Sequence, residues 1–268
     1  MQHEIRHVVA PDGVRIHYEV EGNGEALVLQ HGFTADILIW YRFGYVDALK
    51  DKYRLILIDA RGHGLSDKPH DVEAHTIEKR ADDTIAVLDR SRIRQAHIWG
   101  YSVGGRVALE LGRSHPGRVQ TLVIGGMTGE APRGSQKDRL ERRAQHLEAS
   151  SLASTVAATI PESGPQAPEE EARERISPND RRALAASMRA VLLWRGVEED
   201  LPLMRTPILM YCGDADHLHV RARENVRALP NAQFVLLPGL NHRQAFRRSD
   251  LVLPHVLPFL KRHQSFAT

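Results

Sequence analysis

Six short apolar runs, none of which alternates with polar residues, constrain this chain more than any other feature. They are Ala26 to Gln30, Arg54 to Asp59, Ala96 to Gly100, Val119 to Gly125, Pro207 to Cys212 and Phe234 to Leu237. A strand with one wet face is apolar at every second position. A continuous run rich in Val, Ile and Leu belongs to a strand covered on both faces, as in a parallel sheet. Helical patterns at 37–50, 76–92, 103–114, 220–229 and 249–263 lie between most of the runs. Alternating strands and helices imply a doubly wound α/β layer fold. Ahead of them, residues 4–10 and 14–20 alternate around Pro11-Asp12-Gly13 and read as a β-hairpin. The rhythm breaks between 127 and 205, where helix-like pieces at 136–148, 150–159 and 178–194 flank a proline-rich loop, Pro161 to Pro168. The expected organisation is therefore an α/β core, 1–126 and 206–268, carrying an inserted helical cap, 127–205. The charge runs Arg139 to Arg143 and Glu169 to Glu171 read as solvated helix faces.

The third of these runs leads directly into Gly100-Tyr101-Ser102-Val103-Gly104, and a helical pattern follows at once. A G-x-S-x-G segment between strand and helix is a sharp, strained turn that exposes the serine oxygen. A side chain two residues before or after the serine would clash, and both positions are glycine. Ser102 is the candidate nucleophile.

Composition narrows the classes. A chain of 268 residues fits one α/β core with an inserted lid. The formal net charge of +2 is too small to suggest nucleic acid. Cys212 is the only cysteine, so no internal disulfide can form. Met1-Gln2-His3-Glu4 lacks a charged-then-apolar leader, and no apolar run approaches the length of a membrane span. The expectation is a soluble cytoplasmic protein with a small-molecule substrate and no nucleic-acid or membrane partner. No G-x-G-x-x-G or Walker pattern follows a strand, so no nucleotide cofactor is expected.

Four motifs, in order along nearly the whole chain outside the cap region, resemble the α/β-hydrolase superfamily. They are His31-Gly32-Phe33, Asp59 to Asp67 (Asp-Ala-Arg-Gly-His-Gly-Leu-Ser-Asp), Gly100 to Gly105, and Gly213-Asp214-Ala215-Asp216 with His242 downstream. The resemblance implies an α/β-hydrolase fold: a mostly parallel sheet with an N-terminal β-hairpin and an inserted helical cap. It also implies a site. A serine hydroxyl needs a base, and the family places that base on a loop after the last strand, here His242. The base needs an acid to hold its tautomer. Asp216 matches the family's G-x-x-D spacing; Asp214 is a close competitor, and Glu130 a third choice, since some relatives move the acid there. The oxyanion donors implied are the backbone N–H groups of Phe33 and Val103. His31 is expected to brace its loop rather than act as base, and Arg61 and His63 to tie loops together. Phe33, Tyr101 and Met127 are the favoured pocket residues; Trp40, Tyr41, Leu152 and Trp194 are further apolar candidates. The alternating acids and histidines of Asp214 to His219 could be mistaken for a metal site, but no second cluster accompanies them and no H-x-H-x-D-H string exists, so no metal is expected.

Serine at the elbow argues against epoxide hydrolases and haloalkane dehalogenases, relatives that use aspartate there. Three functions remain. The first is a metal-independent carboxylic ester or lactone hydrolase working through an acyl-enzyme. The second is a carbon–carbon hydrolase or lyase, because Arg106 just after the elbow matches the cyclohexadiene-carboxylate synthases of menaquinone synthesis. The third is a ligand-binding receptor with little turnover. Substrate identity and oligomeric state are not readable from the chain.

Overall fold

The computed structural model describes residues 5–149 and 180–264. The predicted helix at 150–159, the proline-rich loop, Glu169 to Glu171 and Leu152 lie outside the described residues.

Eight strands form one sheet: β1 Arg6–Val9, β2 Arg15–Glu21, β3 Glu25–Gln30, β4 Tyr53–Ile58, β5 Ala96–Tyr101, β6 Val119–Gly125, β7 Ile208–Gly213 and β8 Ala232–Leu237. Their spatial order is β1-β2-β4-β3-β5-β6-β7-β8. The hairpin β1–β2 is antiparallel, as is its junction with β4, and every other pairing is parallel. Within the apolar runs, successive side chains enter different cores. Leu27, Leu29, Leu55 and Leu57 pack on one face, while Val28, Ile56 and Ile58 pack on the other. Two buried faces explain why these runs do not alternate.

Nine helices are described: α1 Leu38–Arg42, α2 Tyr45–Leu49, α3 Ile77–Arg90, α4 Val103–Ser114, α5 Ser135–Ala149, α6 Arg181–Ala190, α7 His219–Ala228, α8 His242–Arg247 and α9 Ser249–Arg262. Most follow the predicted ranges closely. The pattern at 37–50 is instead two helices interrupted at Phe43 and Gly44, where Gly44 takes φ +74°. Helices α3, α4 and α7 cover one face of the sheet, and α1, α2, α8 and α9 the other. Among the described residues no helix is long and apolar enough to cross a membrane.

Helices α5 and α6 are inserted between β6 and β7 and pack on each other through Ala144, Leu147, Leu184, Ala185 and Met188. Two charge contacts reinforce this pair: Arg189 of α6 bonds Glu141 and Glu148 of α5. The expectation that the Arg139 to Arg143 run is wholly a solvated face needs correcting. Glu141 turns to α6, whereas Arg139 and Arg143 line the cavity beneath the inserted helices.

Candidate active site

The chain leaves β3 to pair β4 on one side and β5 on the other, so the sheet order reverses beside β3. In open α/β sheets ligands bind at the carboxyl ends of strands at such a reversal. Gly32 and Phe33 follow β3 and Ser102 follows β5, which puts these residues at that crevice.

Ser102 has φ 55° and ψ −120° at the junction of β5 and α4. Its N–H donates to the Gly125 carbonyl (2.9 Å), anchoring the turn to β6. A Cβ on Gly100 would lie 2.1 Å from the Gly104 carbonyl oxygen, and one on Gly104 would lie 2.3 Å from that of Gln30. Both obstacles are backbone, so neither can step aside. A Cβ on Gly32 would fall 3.2 Å from the Ser102 Cβ, so the β3 loop lies directly against the serine. Among the described residues three non-glycines have positive φ: Thr34 (62°), Arg92 (55°) and Ser102 (55°). Two of the three flank this crevice. A β-branched residue such as Thr34 is costly there, and strain of this kind gathers where function over-determines the backbone.

Three side chains from separate elements meet at the serine. His242 Nε2 is 3.0 Å from Ser102 Oγ, and His242 Nδ1 is 2.7 Å from Asp216 Oδ2. The ring therefore donates through Nδ1 to the carboxylate and can accept the serine proton at Nε2. The second oxygen of Asp216 accepts the Leu218 N–H (3.0 Å). Burial acts to raise the Asp216 carboxyl, but the His242 hydrogen bond and charge, the Leu218 N–H and the Cys212 thiol together hold it below the usual carboxylate range. Asp214, the competitor, instead accepts the Gly239 N–H at 2.7 Å and braces the loop leading to His242. Glu130 bonds Asn225 at 2.8 Å and does not reach the imidazole.

His242 opens helix α8 rather than sitting in a plain loop. Asn241 caps that helix, its side chain accepting from Arg243 N and Gln244 N while Gln244 bonds back to the Asn241 N–H. The Asn-x-x-Gln pattern is a capping box and was a readable signal for this helix. Gly213 lets this loop close on the sheet, since a Cβ there would lie 1.8 Å from the Leu240 carbonyl oxygen. Two tyrosine hydroxyls hold the helix backbone: Tyr101 donates to the His242 carbonyl and Tyr45 to that of Phe246.

The loop after β3 is held by a buried polar network. His31 donates through Nδ1 to the Gly32 carbonyl (2.8 Å) and accepts the Ala60 N–H at Nε2 (3.0 Å). Burial pushes its imidazole below the usual range, and the Gly32 carbonyl and Ala60 N–H fix its tautomer. Asp59 accepts from the Ile37 N–H (2.9 Å) and from His17 Nδ1 (2.8 Å). The His17 partner is separated from Asp59 by 42 positions and was not anticipated. Arg61 forms a two-pronged pair with Asp83 and also bonds Asp12, while His63 packs its ring against His31 and Phe33. These groups position Phe33 and do not touch the serine.

A cavity of about 500 Å³ opens over Ser102 and His242, within the usual range for small-molecule sites. Phe33, Tyr101 and Met127 line it from the core, and Leu140, Leu147 and Met188 from α5 and α6. Three other apolar candidates lie elsewhere. Trp40 is buried in an aromatic cluster with Tyr45, Trp99 and Phe246; Tyr41 bonds Glu19; Trp194 is buried and donates to Glu110. Arg106 lines the cavity, its guanidinium 5.7 Å from the Trp194 ring centroid, and its Nε has no hydrogen-bond partner among the described residues. Burial lowers its pKa to about 10 despite the attraction of Glu130. Among the described residues no group of three His, Cys, Asp or Glu side chains is arranged to hold a metal ion.

Such a line of hydroxyl, imidazole and carboxylate can deliver a nucleophilic alkoxide to a carbonyl carbon and return the proton to a leaving group. Comparison with known proteins agrees with this frame. A protein of Bacillus subtilis (strain 168), provisionally named 2-succinyl-6-hydroxy-2,4-cyclohexadiene-1-carboxylate synthase, is 29% identical over 88% of this chain and 90% of its own length. 3-Oxoadipate enol-lactonase 1 of Acinetobacter baylyi is 34% identical over 51% of this chain, which spans about half (48%) of that relative. Solved structures of a hydrolase from Pseudomonas aeruginosa and an enol-lactonase from Burkholderia xenovorans share the fold. Their TM-scores are 0.86 and 0.84, at 24% and 22% identity, covering 97% and 96% of this chain and 99% and 100% of theirs. The sequence model of the alpha/beta hydrolase fold matches residues 25–244. With sheet order, elbow and sequence match in agreement, this chain belongs to the alpha/beta hydrolase fold family.

Proposed function

We propose that this protein is a serine hydrolase that cleaves a carboxylic ester or lactone of a small substrate through an acyl-enzyme. The observation that carries the reading is the unbroken line from Ser102 Oγ to His242 to Asp216 at the floor of a cavity of small-molecule size. Ser102 attacks the carbonyl carbon as its proton passes to His242 Nε2. Charge developing on the carbonyl oxygen is met by the Val103 and Phe33 N–H groups, the first at the positive end of α4. His242 then protonates the departing alkoxide. Water, deprotonated by the same nitrogen, releases the acid and restores the hydroxyl. Within the inserted stretch 127–205, helices α5 and α6 are read as the part of a cap that covers this site. The expected result is saturable turnover of p-nitrophenyl acetate or butyrate, with a fluorophosphonate probe labelling Ser102. No turnover across esters and lactones of graded size would overturn the reading.

Asp216, not Asp214, is the acid of this mechanism. Asp216→Asn is expected to lower kcat about 10³- to 10⁴-fold, because an amide cannot hold the imidazole in the required tautomer or stabilise imidazolium. Asp214→Asn keeps an acceptor for the Gly239 N–H and is expected to cost less than about threefold. Steady-state kinetics on the two variants decides between them.

A second reading, a lyase or carbon–carbon hydrolase on the same residues, draws support from Arg106 in the cavity and from the synthase-named relative. It is distinguished by release of a 2-keto acid without ester cleavage.

A further inference from the structure

We infer that Tyr101 is a positioning residue: its hydroxyl spans from the elbow to the backbone of His242 and sets the distance between the imidazole and the Ser102 oxygen. This rests on the reading of Ser102 and His242 as nucleophile and base.

His242 opens α8, a helix of six residues. A helix this short does not hold itself together in water, so bonds from outside it must fix its place. The capping box at Asn241 serves its first turn but reaches no other element. Yet the imidazole carried by α8 has to stay 3.0 Å from Ser102 Oγ, at the end of a different strand. A displacement of about 1 Å in such a geometry can cost about 10²-fold in rate.

Tyr101 ends β5, one residue ahead of the serine, and its hydroxyl donates to the His242 carbonyl. Nucleophile and base are thus joined in a closed circuit, through a peptide link on one side and this hydroxyl on the other. The ring carries the hydroxyl firmly. His242 and Phe246 are four apart on α8 and share a face, and their rings lie 5.4 and 4.8 Å from that of Tyr101. On the far side, a Cβ on Gly125 would fall against Tyr101 Cδ2 and the Tyr211 hydroxyl. One on Gly126, which has φ +56°, would lie 3.0 Å from the Tyr101 hydroxyl and 3.0 Å from His242 Cε1. The backbone after β6 therefore closes directly on both the hydroxyl and the imidazole, and glycine is what permits it. Burial pushes the Tyr101 phenol well above its ordinary value, so it stays a donor. A phenol has one proton, and here it is engaged by His242, so although the ring lines the cavity the hydroxyl has none to give a substrate.

Tyr101→Phe keeps the ring and removes only the hydroxyl. It is expected to lower kcat about tenfold, by the same factor for p-nitrophenyl acetate and butyrate, with KM within about twofold of wild type. Labelling of Ser102 by a fluorophosphonate should slow by a similar factor. Tyr53→Phe is the structural control. Tyr53 is also buried, its hydroxyl bonds Gln264, and it begins β4 at the end of the sheet away from the serine. Each variant loses one hydroxyl bond and should melt about 2–4 °C lower, but Tyr53→Phe should leave kcat unchanged. A fall in kcat of less than about threefold in Tyr101→Phe, a loss confined to KM, or an equal loss in Tyr53→Phe overturns the assignment and leaves the hydrolase reading intact. Should the wild type neither cleave esters nor take the label, the hydrolase reading fails, and proton NMR still decides the positioning role. The signal followed is the low-field resonance of the His242 Nδ1 proton, identified by its loss in Asp216→Asn. Its broadening or loss in Tyr101→Phe but not in Tyr53→Phe supports the assignment. An unchanged signal in Tyr101→Phe, or none in the wild type, overturns it.

Discussion

Replacing Ser102 by alanine is expected to lower kcat/KM for every ester substrate by at least about 10³-fold while leaving the protein folded. The hydroxyl is the only atom removed. It makes one side-chain hydrogen bond, to His242 Nε2, and does not cap α4. Alanine adopts the φ of 55° no more easily than serine, so the strain of the elbow is unchanged. Thermal unfolding should therefore differ little from wild type, within about 0.5 kcal/mol. Residual rate, if any, is expected from the proposed Val103 and Phe33 donors acting on water attack. Labelling by a fluorophosphonate should vanish in parallel. Retention of more than about a tenth of wild-type kcat/KM would remove Ser102 from the chemistry, since a covalent mechanism has no substitute for the nucleophile.

The second large effect is on the fold at the same place. Gly104→Ala is expected to destabilise the protein by roughly 3 kcal/mol, at the upper end for small-to-large substitutions in packed sites. The new Cβ would lie 2.3 Å from the Gln30 carbonyl oxygen and 2.7 Å from that of His31. Relief requires α4 to separate from the end of β3. That motion also parts Ser102 from the loop carrying Phe33, so the folded remainder should lose kcat more than it gains KM. Gly117→Ala is the matched control. Nothing lies within 4 Å of a Cβ there, and the change should fall within about 0.5 kcal/mol of zero. Denaturant titrations of the two variants, with kinetics on the folded fraction, check both parts. Equal stability of the two would mean that the elbow can relax without cost.

Most of the architecture was legible in the chain because its signals are local. The six runs became strands within about two residues at each end, and the hairpin formed around Pro11 to Gly13. Helix α4 begins at Val103, where the elbow required it. The break at Phe43 and Gly44 has a local signal as well, a glycine within a helical pattern. The capping box at Asn241 is likewise a local signal, for the start of α8. By contrast, Trp40 and Tyr41 could not be separated from pocket residues by pattern alone. One is in the aromatic core and the other, on α1, bonds Glu19 of β2.

What the sequence alone determined was the layer order of the protein and the identity of the strained turn. Periodicity and glycine spacing act over a few residues and need no distant partner. Only the tertiary structure put Asp216 rather than Asp214 against His242, gave His17 its place beside Asp59, and brought Arg139 and Arg143 to the lining of the cavity. Each of those outcomes depends on which way a side chain points once elements 26 to more than 100 residues apart are packed together, and no local pattern encodes that direction.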